Sequence, residues 1–286
     1  EIYNGLYDHP NSNELLHYLP ISAIPVGTGN GLVKSILYES YEPYSILSAL
    51  FIAIKGTSYP IDLSRVTTHR QTGYSSMLML GWGLISDVDV LSESMRWMGE
   101  LRLYLAAVWY IIKKQVYHGE LHMLLSDTPL PSIPSLPPLH LPLPLPSSSI
   151  SSSITPTVDK NSSMSNSVTD SWTTIRSKFM LVWILQTSHC TSTMHSGPGK
   201  QMNDGLFMIF VVRDMSRFQL LQLLLSLDTG GHINHPGVEQ YRAAAYRLEP
   251  LVSEGVYTLD GETVEYGPIQ GVIHQSAARI IKMHKS

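Results

Sequence analysis

A proline- and serine-rich segment at residues 126–171 most constrains how this chain can fold. Its repeated prolines, as in LPPLHLP at 136–142, lack backbone donors and are excluded from the interiors of helices and sheets. The serine- and asparagine-rich tract that follows has too few apolar side chains to form a core. We therefore predict a disordered insertion within a folded domain. Polyproline II structure that binds a partner is the alternative for the proline-rich part.

The composition of the remaining chain favours a folded protein that does not bind nucleic acid. A length of 286 residues is enough for one large or two ordinary domains, and a hydrophobic content of 43% allows a sizeable core. The net charge of −4 lacks the basic excess of a nucleic-acid binder. A single cysteine, Cys190, excludes an intrachain disulfide and fits a reducing compartment. Without a signal peptide or an apolar run of about 18 residues, we expect a cytoplasmic protein.

The first part of the chain reads as a strand, a glycine turn and a helix. Residues 21–26 are predicted to form the strand, residues 27–31 (GTGNG) the turn, and residues 32–38 the start of the helix. Such a turn points backbone N–H groups and a helix N-terminus at one place, which favours phosphate. The spacing matches neither a P-loop nor a dinucleotide-binding motif, and a turn without a ligand is the alternative.

The rest of the chain is predicted to be mainly antiparallel β structure. One or two strands are predicted over 75–89, and further strands over 179–186, 206–212, 241–248 and 256–264, the last folded into a hairpin at Asp260-Gly261. Ser216 is a suitable N-cap for a leucine-rich helix that ends near 227. Residues 98–116 have helical spacing. Their apolar face is expected to pack in the core, with a membrane-surface role as the alternative, and consists of Leu101, Leu105, Val108 and Ile112.

Two charged groups are candidate functional residues. Asp87 and Asp89 follow an apolar stretch, and Arg96 and Arg102 come shortly after them. Carboxylates hold amines or metals, and arginines clamp phosphate oxygens, but a solvated strand end and surface arginines explain the same pattern. Asp260 is either the tip of a hairpin or a contact to nucleotide or Mg²⁺.

A pair of histidines also has metal-ligand spacing. His118 and His122 lie four residues apart, which suits zinc if both lie on one helix. The pair lacks the acid of a His-Glu-x-x-His motif, and the sequence shows no third ligand. We therefore predict surface histidines and assign no metal site.

Five short motifs follow one another along the chain. They lie at 24–30 (IPVGTGN), 82–89 (WGLISDVD), 96–102 (RWMGELR), 246–250 (YRLEP) and 260–262 (DGE), the last followed by Gln270, Gly271 and His274. With these motifs in this order, the chain resembles the sphingosine kinases, which are lipid kinases of the diacylglycerol kinase superfamily. Five motifs in the family's order are far more specific than any one of them. The resemblance extends from Glu1 to about His274, apart from the proline- and serine-rich segment.

The resemblance implies a two-domain fold with mixed α/β and antiparallel β parts. Residues 1–57 correspond to the C-terminal part of an α/β nucleotide-binding domain, and 58–286 to an antiparallel β-sandwich that binds lipid. ATP and Mg²⁺ are expected in the cleft between the domains. Asp89 matches the acid that binds the amino and hydroxyl groups of the sphingoid head, and a carboxylate suits a protonated amine. The residues implied in nucleotide binding are Glu1, Gly27, Thr28, Gly29, Arg96, Arg102, Asp260 and Gly261.

The implied reaction transfers the γ-phosphoryl group of ATP to the primary hydroxyl of sphingosine. The family's general base, an aspartate in a Ser/Gly-Gly-Asp-Gly loop, is expected upstream of Glu1. We therefore assign no catalytic residue within the chain and expect this fragment to be inactive. One departure from the family is Leu91, where related kinases often carry an acid.

Three alternatives stay open: a ceramide kinase, a diacylglycerol kinase, and a non-catalytic truncated lipid-binding form. Asp89 argues against the first two, because neither lipid carries a cationic amine. The expected partners are a sphingoid-base lipid and, transiently, a membrane surface, so we expect peripheral membrane association. No nucleic-acid partner is expected.

Overall fold

The chain forms a helical N-terminal segment followed by a curled antiparallel sheet. A computed structural model describes residues 1–27, 29–99, 101–143 and 172–284. The predicted fold class is confirmed, because helices dominate up to Lys55 and the first long strand starts at Thr57. The predicted division of the chain at residue 57 coincides with this change of structure.

Short helices of the N-terminal segment pack on the ends of two long strands. Leu16, Ile36 and Ile52 are buried there against Ile61 and Ile280 of the sheet. The predicted glycine turn and helix are confirmed by α3, which begins at Gly31. The elements are α1 (Ile2–Tyr7), α2 (Ser12–Tyr18), β1 (Pro20–Ile21), α3 (Gly31–Glu39) and α4 (Ile46–Lys55).

The strand predicted over 21–26 is largely wrong. Only Pro20 and Ile21 pair with another strand, in parallel with Arg279 and Ile280. Residues 22–26 follow an irregular path. Apolar character suits a strand, but a strand also needs a neighbour to satisfy its backbone, and Pro25 lacks a donor.

Within the described residues, twelve strands join in one sheet. All pairings are antiparallel except that of β1 with β12. β9 pairs with β8, β12 and β5, and this branching curls the sheet around a core that contains Trp82, Phe207 and Tyr246. The other strands are β2 (Thr57–Thr68), β3 (Gly73–Ser76), β4 (Met79–Gly83), β5 (Tyr117–Leu125), β6 (Trp172–Phe179), β7 (Leu181–Leu185), β8 (Phe207–Val212), β9 (Glu239–Pro250), β10 (Tyr257–Leu259), β11 (Glu262–Val264) and β12 (Ile269–Lys282).

Three further helices pack on the outer face of the sheet. They are α5 (Leu84–Glu93), α6 (Leu101–Lys113) and α7 (Arg217–Ser226). A second core lies between them and the sheet, and Trp183 and Phe210 contribute to it from β7 and β8. The predicted cap of α7 is confirmed, because the Ser216 hydroxyl accepts the Gln219 N–H in a capping box.

The strand predicted to continue to residue 89 ends instead at Gly83. Gly83 has a φ of +76°, and a Cβ there would lie 2.5 Å from the carbonyl oxygen of Met180. This turn, which only glycine fits, redirects the chain into α5. The inner side of α5 carries apolar residues at helical spacing, namely Leu84, Val88 and Leu91. In the sequence this spacing is hard to distinguish from a strand, because the residues belong to a short, largely apolar stretch.

The interpretation of 126–171 as a disordered insertion is wrong for residues 126–143. Leu143 is buried, and Leu130 and Leu136 pack in the same small core beside Trp172. The segment forms no helix or strand, and it is held in part by the Arg247 guanidinium, which donates to the carbonyls of Pro137 and Leu141 at 2.7 Å. Residues 144–171 lie outside the described residues.

The helix predicted over 98–116 is confirmed as α6, but the core packing predicted for its apolar face is wrong. Ala106, Ala107 and Ile111 face the sheet. The predicted face is solvent-exposed, with fractions of 56% for Leu101, 44% for Leu105, 40% for Val108 and 59% for Ile112. Small residues let the helix approach the sheet closely and leave the large ones outside.

Candidate functional site

The glycine turn is fixed by contacts on both sides. Asn30, at a φ of +55°, accepts the Gly27 N–H with its side-chain oxygen at 3.1 Å. Gly31 touches the Cys190 carbonyl so closely that a Cβ would lie 2.4 Å from that oxygen. The next turn of α3 is held by Ser35, whose hydroxyl accepts the His189 N–H at 3.0 Å. Thr28 lies outside the described residues, so its predicted role stays a prediction.

Cys190 connects the glycine turn to the core beneath α5. Its carbonyl contacts Gly31, and its side chain belongs to the same buried cluster as Val88, the residue before Asp89. Burial raises the pKa of the Cys190 thiol to about 12, and the negative charge of Asp89 adds to the rise. One buried cluster therefore joins the residue that contacts the turn to the helix that carries Asp89.

Asp89 is an acid with unused binding capacity. Its Oδ2 atom is buried and has no hydrogen-bond partner among the described residues. Burial raises the pKa of Asp89 to about 6, with the negative charges of Glu93 and Glu262 adding to the rise and Arg102 opposing it. A buried carboxylate oxygen without a donor is costly, so a cationic donor supplied from outside is favoured here.

Asp87, two residues earlier on α5, is a structural acid instead. The Tyr117 hydroxyl donates to its two oxygens at 2.7 and 2.9 Å. This pair joins α5 to β5 and leaves Asp87 satisfied.

Arg102 lies beside Asp89 on the first turn of α6. Its Nη1 donates to the Ser92 carbonyl and to Glu93 Oε1, both at 3.3 Å. Its Nε is buried and, within the described part of the chain, has no hydrogen-bond partner. The arginine is therefore held in place with one donor still available. Arg96 begins a single turn of 3₁₀ helix, Arg96–Met98, and its side chain lies outside the described part of the chain.

Asp260 forms the tip of the predicted hairpin, which is confirmed. Asp260 and Gly261 have φ values of +52° and +89° between β10 and β11. The Asp260 carboxylate accepts the Ser76 hydroxyl and the N–H groups of Met77, Leu78 and Met79, at 2.8 to 3.0 Å. These contacts favour the structural interpretation, and its contact to nucleotide or Mg²⁺ stays a prediction. Gly261 is open on its Cβ side.

Glu1 precedes α1, which packs beside this hairpin region. Asn4 of α1 accepts the Ser75 N–H with its side-chain oxygen, and the next residue, Ser76, binds Asp260. The N-terminal helix therefore lies at the same edge of the sheet as the hairpin tip.

A small cavity of about 50 Å³ lies between the sheet and α5, α6 and α7. Val88, adjacent to Asp89 in sequence, contributes to its wall, and His232 lines it as one of its few polar groups. Ligand sites in proteins are commonly lined by apolar side chains with few polar groups, as this cavity is. The sequence did not indicate the cavity, because its wall comes from separate parts of the chain: Leu84, Ile85, Val88, Leu103, Ala107, Ile111, Leu181, Trp183, Met194, Phe210, Leu220, Leu223, Leu224, Leu227, His232 and Val238.

Comparisons with known proteins agree first on a structural class. Residues 160–282 match the family described as the YegS C-terminal NAD kinase beta sandwich-like domain. A putative diacylglycerol kinase from Bacillus anthracis str. Sterne superimposes with a TM-score of 0.57 at 15% identity, over 95% of this chain and 72% of that one. The fold is therefore that of the diacylglycerol-kinase-like proteins.

Among curated proteins, the chain is similar to sphingosine kinases. Sphingosine kinase 1 of Arabidopsis thaliana is 28% identical over 93% of this chain, and that of Homo sapiens is 29% identical over 96%. The chain covers 54% of the plant protein and 70% of the human one. The resemblance to sphingosine kinase-type lipid kinases is confirmed. The chain spans about half the length of the two plant relatives.

Proposed function

We propose that this chain carries the lipid-binding part and a share of the nucleotide-binding part of an ATP-dependent kinase that phosphorylates sphingosine. The observation that carries the proposal is a buried oxygen of Asp89 that has no partner among the described residues, on a helix whose preceding residue, Val88, lines an apolar cavity. A sphingoid base joins a cationic amine and hydroxyls to one long alkyl chain. An acid and an adjacent apolar cavity match these two parts.

The amine is what separates sphingosine from the alternative lipids. A charge-assisted hydrogen bond from an ammonium group to a buried carboxylate is stronger than a neutral one. Ceramide and diacylglycerol lack this charge, so with them Asp89 Oδ2 stays without a cationic partner. Asp89 therefore favours a sphingoid base over these two substrates.

Phosphate recognition is assigned to the glycine turn and to Arg102. Gly27 and Gly29 flank a turn at the N-terminus of α3, where backbone N–H groups favour anions. Arg102 has a buried donor, Nε, that no described residue pairs with. Mg²⁺ and ATP would supply the metal bridge and the transferred phosphoryl group. The chain's own residues then orient phosphates and hydroxyl and offset developing charge.

The surface of α6 and α7 fits transient contact with a membrane. Trp109 is 61% exposed and Phe218 is 68% exposed, on helices that pack against each other and line the cavity. Lys113 and Lys114 follow at the end of α6. An apolar face with basic residues at its border is typical of interfacial helices. Within the described residues, the model contains no helix with the length and apolarity that a bilayer span requires.

Kinase assays with ATP, Mg²⁺ and sphingosine test the proposal on two proteins, this chain and a form extended upstream by the family's Gly-Asp-Gly loop. We expect activity in the extended form and little or none in this chain, because no general base is assigned within it. Activity in this chain would show that the base is misplaced. Inactivity of both folded forms on sphingosine would move the assignment to ceramide, diacylglycerol or non-catalytic lipid binding.

Substitution of Asp89 tests the amine-reading role in the extended form. D89N keeps the shape and removes the charge, so we expect sphingosine turnover to fall at least about tenfold, the equivalent of 1.4 kcal/mol. D127N, at an exposed position, is the matched control. Unchanged sphingosine turnover in D89N would contradict the role.

A further inference from the structure

Three side chains with metal-ligating atoms meet on the curled part of the sheet, on the strands β5 and β9. Glu120 lies opposite Glu249 in the register, and His122 lies opposite Arg247. Side chains two residues apart on a strand point to the same face, so Glu120, His122 and Glu249 share one face. One potential ligand atom from each of the three lies within 4.8 Å of the others.

His122 is prepared to act as a ligand through its Nε2 atom. The residue is 95% buried (5% exposed), and its Nδ1 atom is 2.8 Å from the Thr174 hydroxyl. This hydrogen bond orients the ring, and with Nδ1–H donating to Thr174 the Nε2 lone pair is free. Nε2 faces Glu120 Oε2 at 3.6 Å.

Two arginines compete for the carboxylates, and neither contact is tight. Arg176 lies 3.2 Å from Glu120 Oε1, but its side chain is 72% exposed. Arg247 lies 3.7 Å from Glu249 Oε1, and its guanidinium donates to Gln270 Oε1 and to the Pro137 and Leu141 carbonyls at 2.7 to 3.0 Å. Glu249 is therefore only loosely paired, and one exposed pair must open to release Glu120.

We propose that Glu120, His122 and Glu249 form a binding site for a divalent transition metal of the zinc class. One imidazole and two carboxylates are established ligand types for Zn²⁺. Mg²⁺ takes oxygen ligands and keeps much of its water, so the imidazole discriminates against the ion used with ATP. The site is independent of the Asp89 region, because none of its three residues belongs to the cavity wall or to the glycine turn.

The sequence did not predict this site for two reasons. The spacing of His118 and His122 suits zinc if both lie on a helix, but both lie on strand β5. The third ligand, Glu249, is distant in sequence and is brought in by the pairing of β5 with β9. The prediction of surface histidines is wrong for His122, which is buried, and is confirmed for His118, which is exposed.

Calorimetric titration with Zn²⁺, together with the visible absorption of bound Co²⁺, tests the proposal on the full chain. We expect H122A to weaken Zn²⁺ binding by about 100-fold or more, since losses around the ligands alone cost 10–100-fold. E249Q should weaken it in the same direction. H118A, two residues from Glu120 on the same strand, is the matched control, which matters because the chain contains 12 histidines. Excess Mg²⁺ should not displace the ion.

R176A gives a second test, in which the expected result is a gain in Zn²⁺ affinity and not the loss that misfolding would cause. Removing the exposed cation frees Glu120 and removes a repulsive charge, so we expect Zn²⁺ affinity to rise about two- to fivefold. If H122A fails to fold, E249Q and R176A decide the question alone. Equal Zn²⁺ affinity in the native chain, E249Q and R176A, or no Zn²⁺ binding beyond that of exposed histidines, would overturn the proposal.

Discussion

Substitution of Asp260 tests whether its carboxylate has a structural role or binds nucleotide, because its contacts in the structure indicate the first role and the family resemblance implies the second. Its oxygens accept three backbone N–H groups, those of Met77, Leu78 and Met79, and the Ser76 hydroxyl. A buried donor left without a partner costs about 1–3 kcal/mol. D260A removes all four acceptor contacts at once, so we expect it to destabilise the protein by about 3–5 kcal/mol, allowing for relaxation and water entry.

D260N separates the structural role from nucleotide binding. Asparagine tolerates the left-handed φ of +52° and retains one acceptor oxygen, which can keep the three contacts made by Oδ1. Only the contact to Met77 is lost, so we expect a cost of about 1–3 kcal/mol. A metal or nucleotide contact that needs the negative charge would instead raise the KM for ATP in the extended form and leave stability nearly unchanged.

Urea unfolding followed by circular dichroism measures both variants against D127N at an exposed position. The structural argument requires the order D260A, D260N, D127N, from least to most stable. If D260A lies within about 0.5 kcal/mol of the native chain, which is the ordinary effect of a surface substitution, the reasoning is refuted.

Three further predictions follow from the site. G31A should destabilise the protein by about 1–3 kcal/mol, because the new Cβ would lie 2.4 Å from the Cys190 carbonyl oxygen. A lower Tm is the expected result, and an unchanged Tm would contradict this packing. The pKa of Asp89 is raised to about 6 in the folded protein, so between about pH 4 and pH 6 the folded state binds more protons than the unfolded state. The free energy of unfolding should therefore fall as the pH rises through this range. D89N should remove this fall in urea titrations. Over the same range sphingosine binding should strengthen as Asp89 ionises, and pH-independent affinity would contradict the amine contact. W109A should reduce sedimentation with anionic vesicles several-fold without changing Tm, whereas equal sedimentation argues against an interfacial α6.

The parts of the fold that were predicted are those set by local chemistry. The Asp260-Gly261 hairpin, the Ser216 cap and the helix after the glycine turn each depend on a few adjacent residues, and all three are confirmed. The order of the five motifs also predicted the resemblance to sphingosine kinases, because motifs are read along the chain.

The parts that were missed depend on distant partners. Residues 22–26 have strand composition without a pairing, and residues 126–143 have the composition of a disordered segment but are held by Arg247. The face of α6 was assigned to the core on hydrophobicity, although Ala106 and Ala107 make the closer approach. None of these outcomes is encoded within the segment concerned.

Asp87 and Asp89 lie on the same helix, but we assign a structural role to Asp87 and propose a binding role for Asp89. Both acids lie on α5, and burial raises the pKa of each. For Asp87 the Tyr117 hydroxyl offsets that effect from within the protein, so this acid needs no ligand. For Asp89 the neighbouring Glu93 and Glu262 add to it, and Arg102 opposes it. A cation that reaches Asp89 Oδ2 would therefore relieve both the desolvation and the repulsion, and an apolar tail could extend toward the cavity that Val88 lines. Under the proposed function, the cost of keeping this half-buried acid would become selectivity for a charged head group attached to an apolar tail.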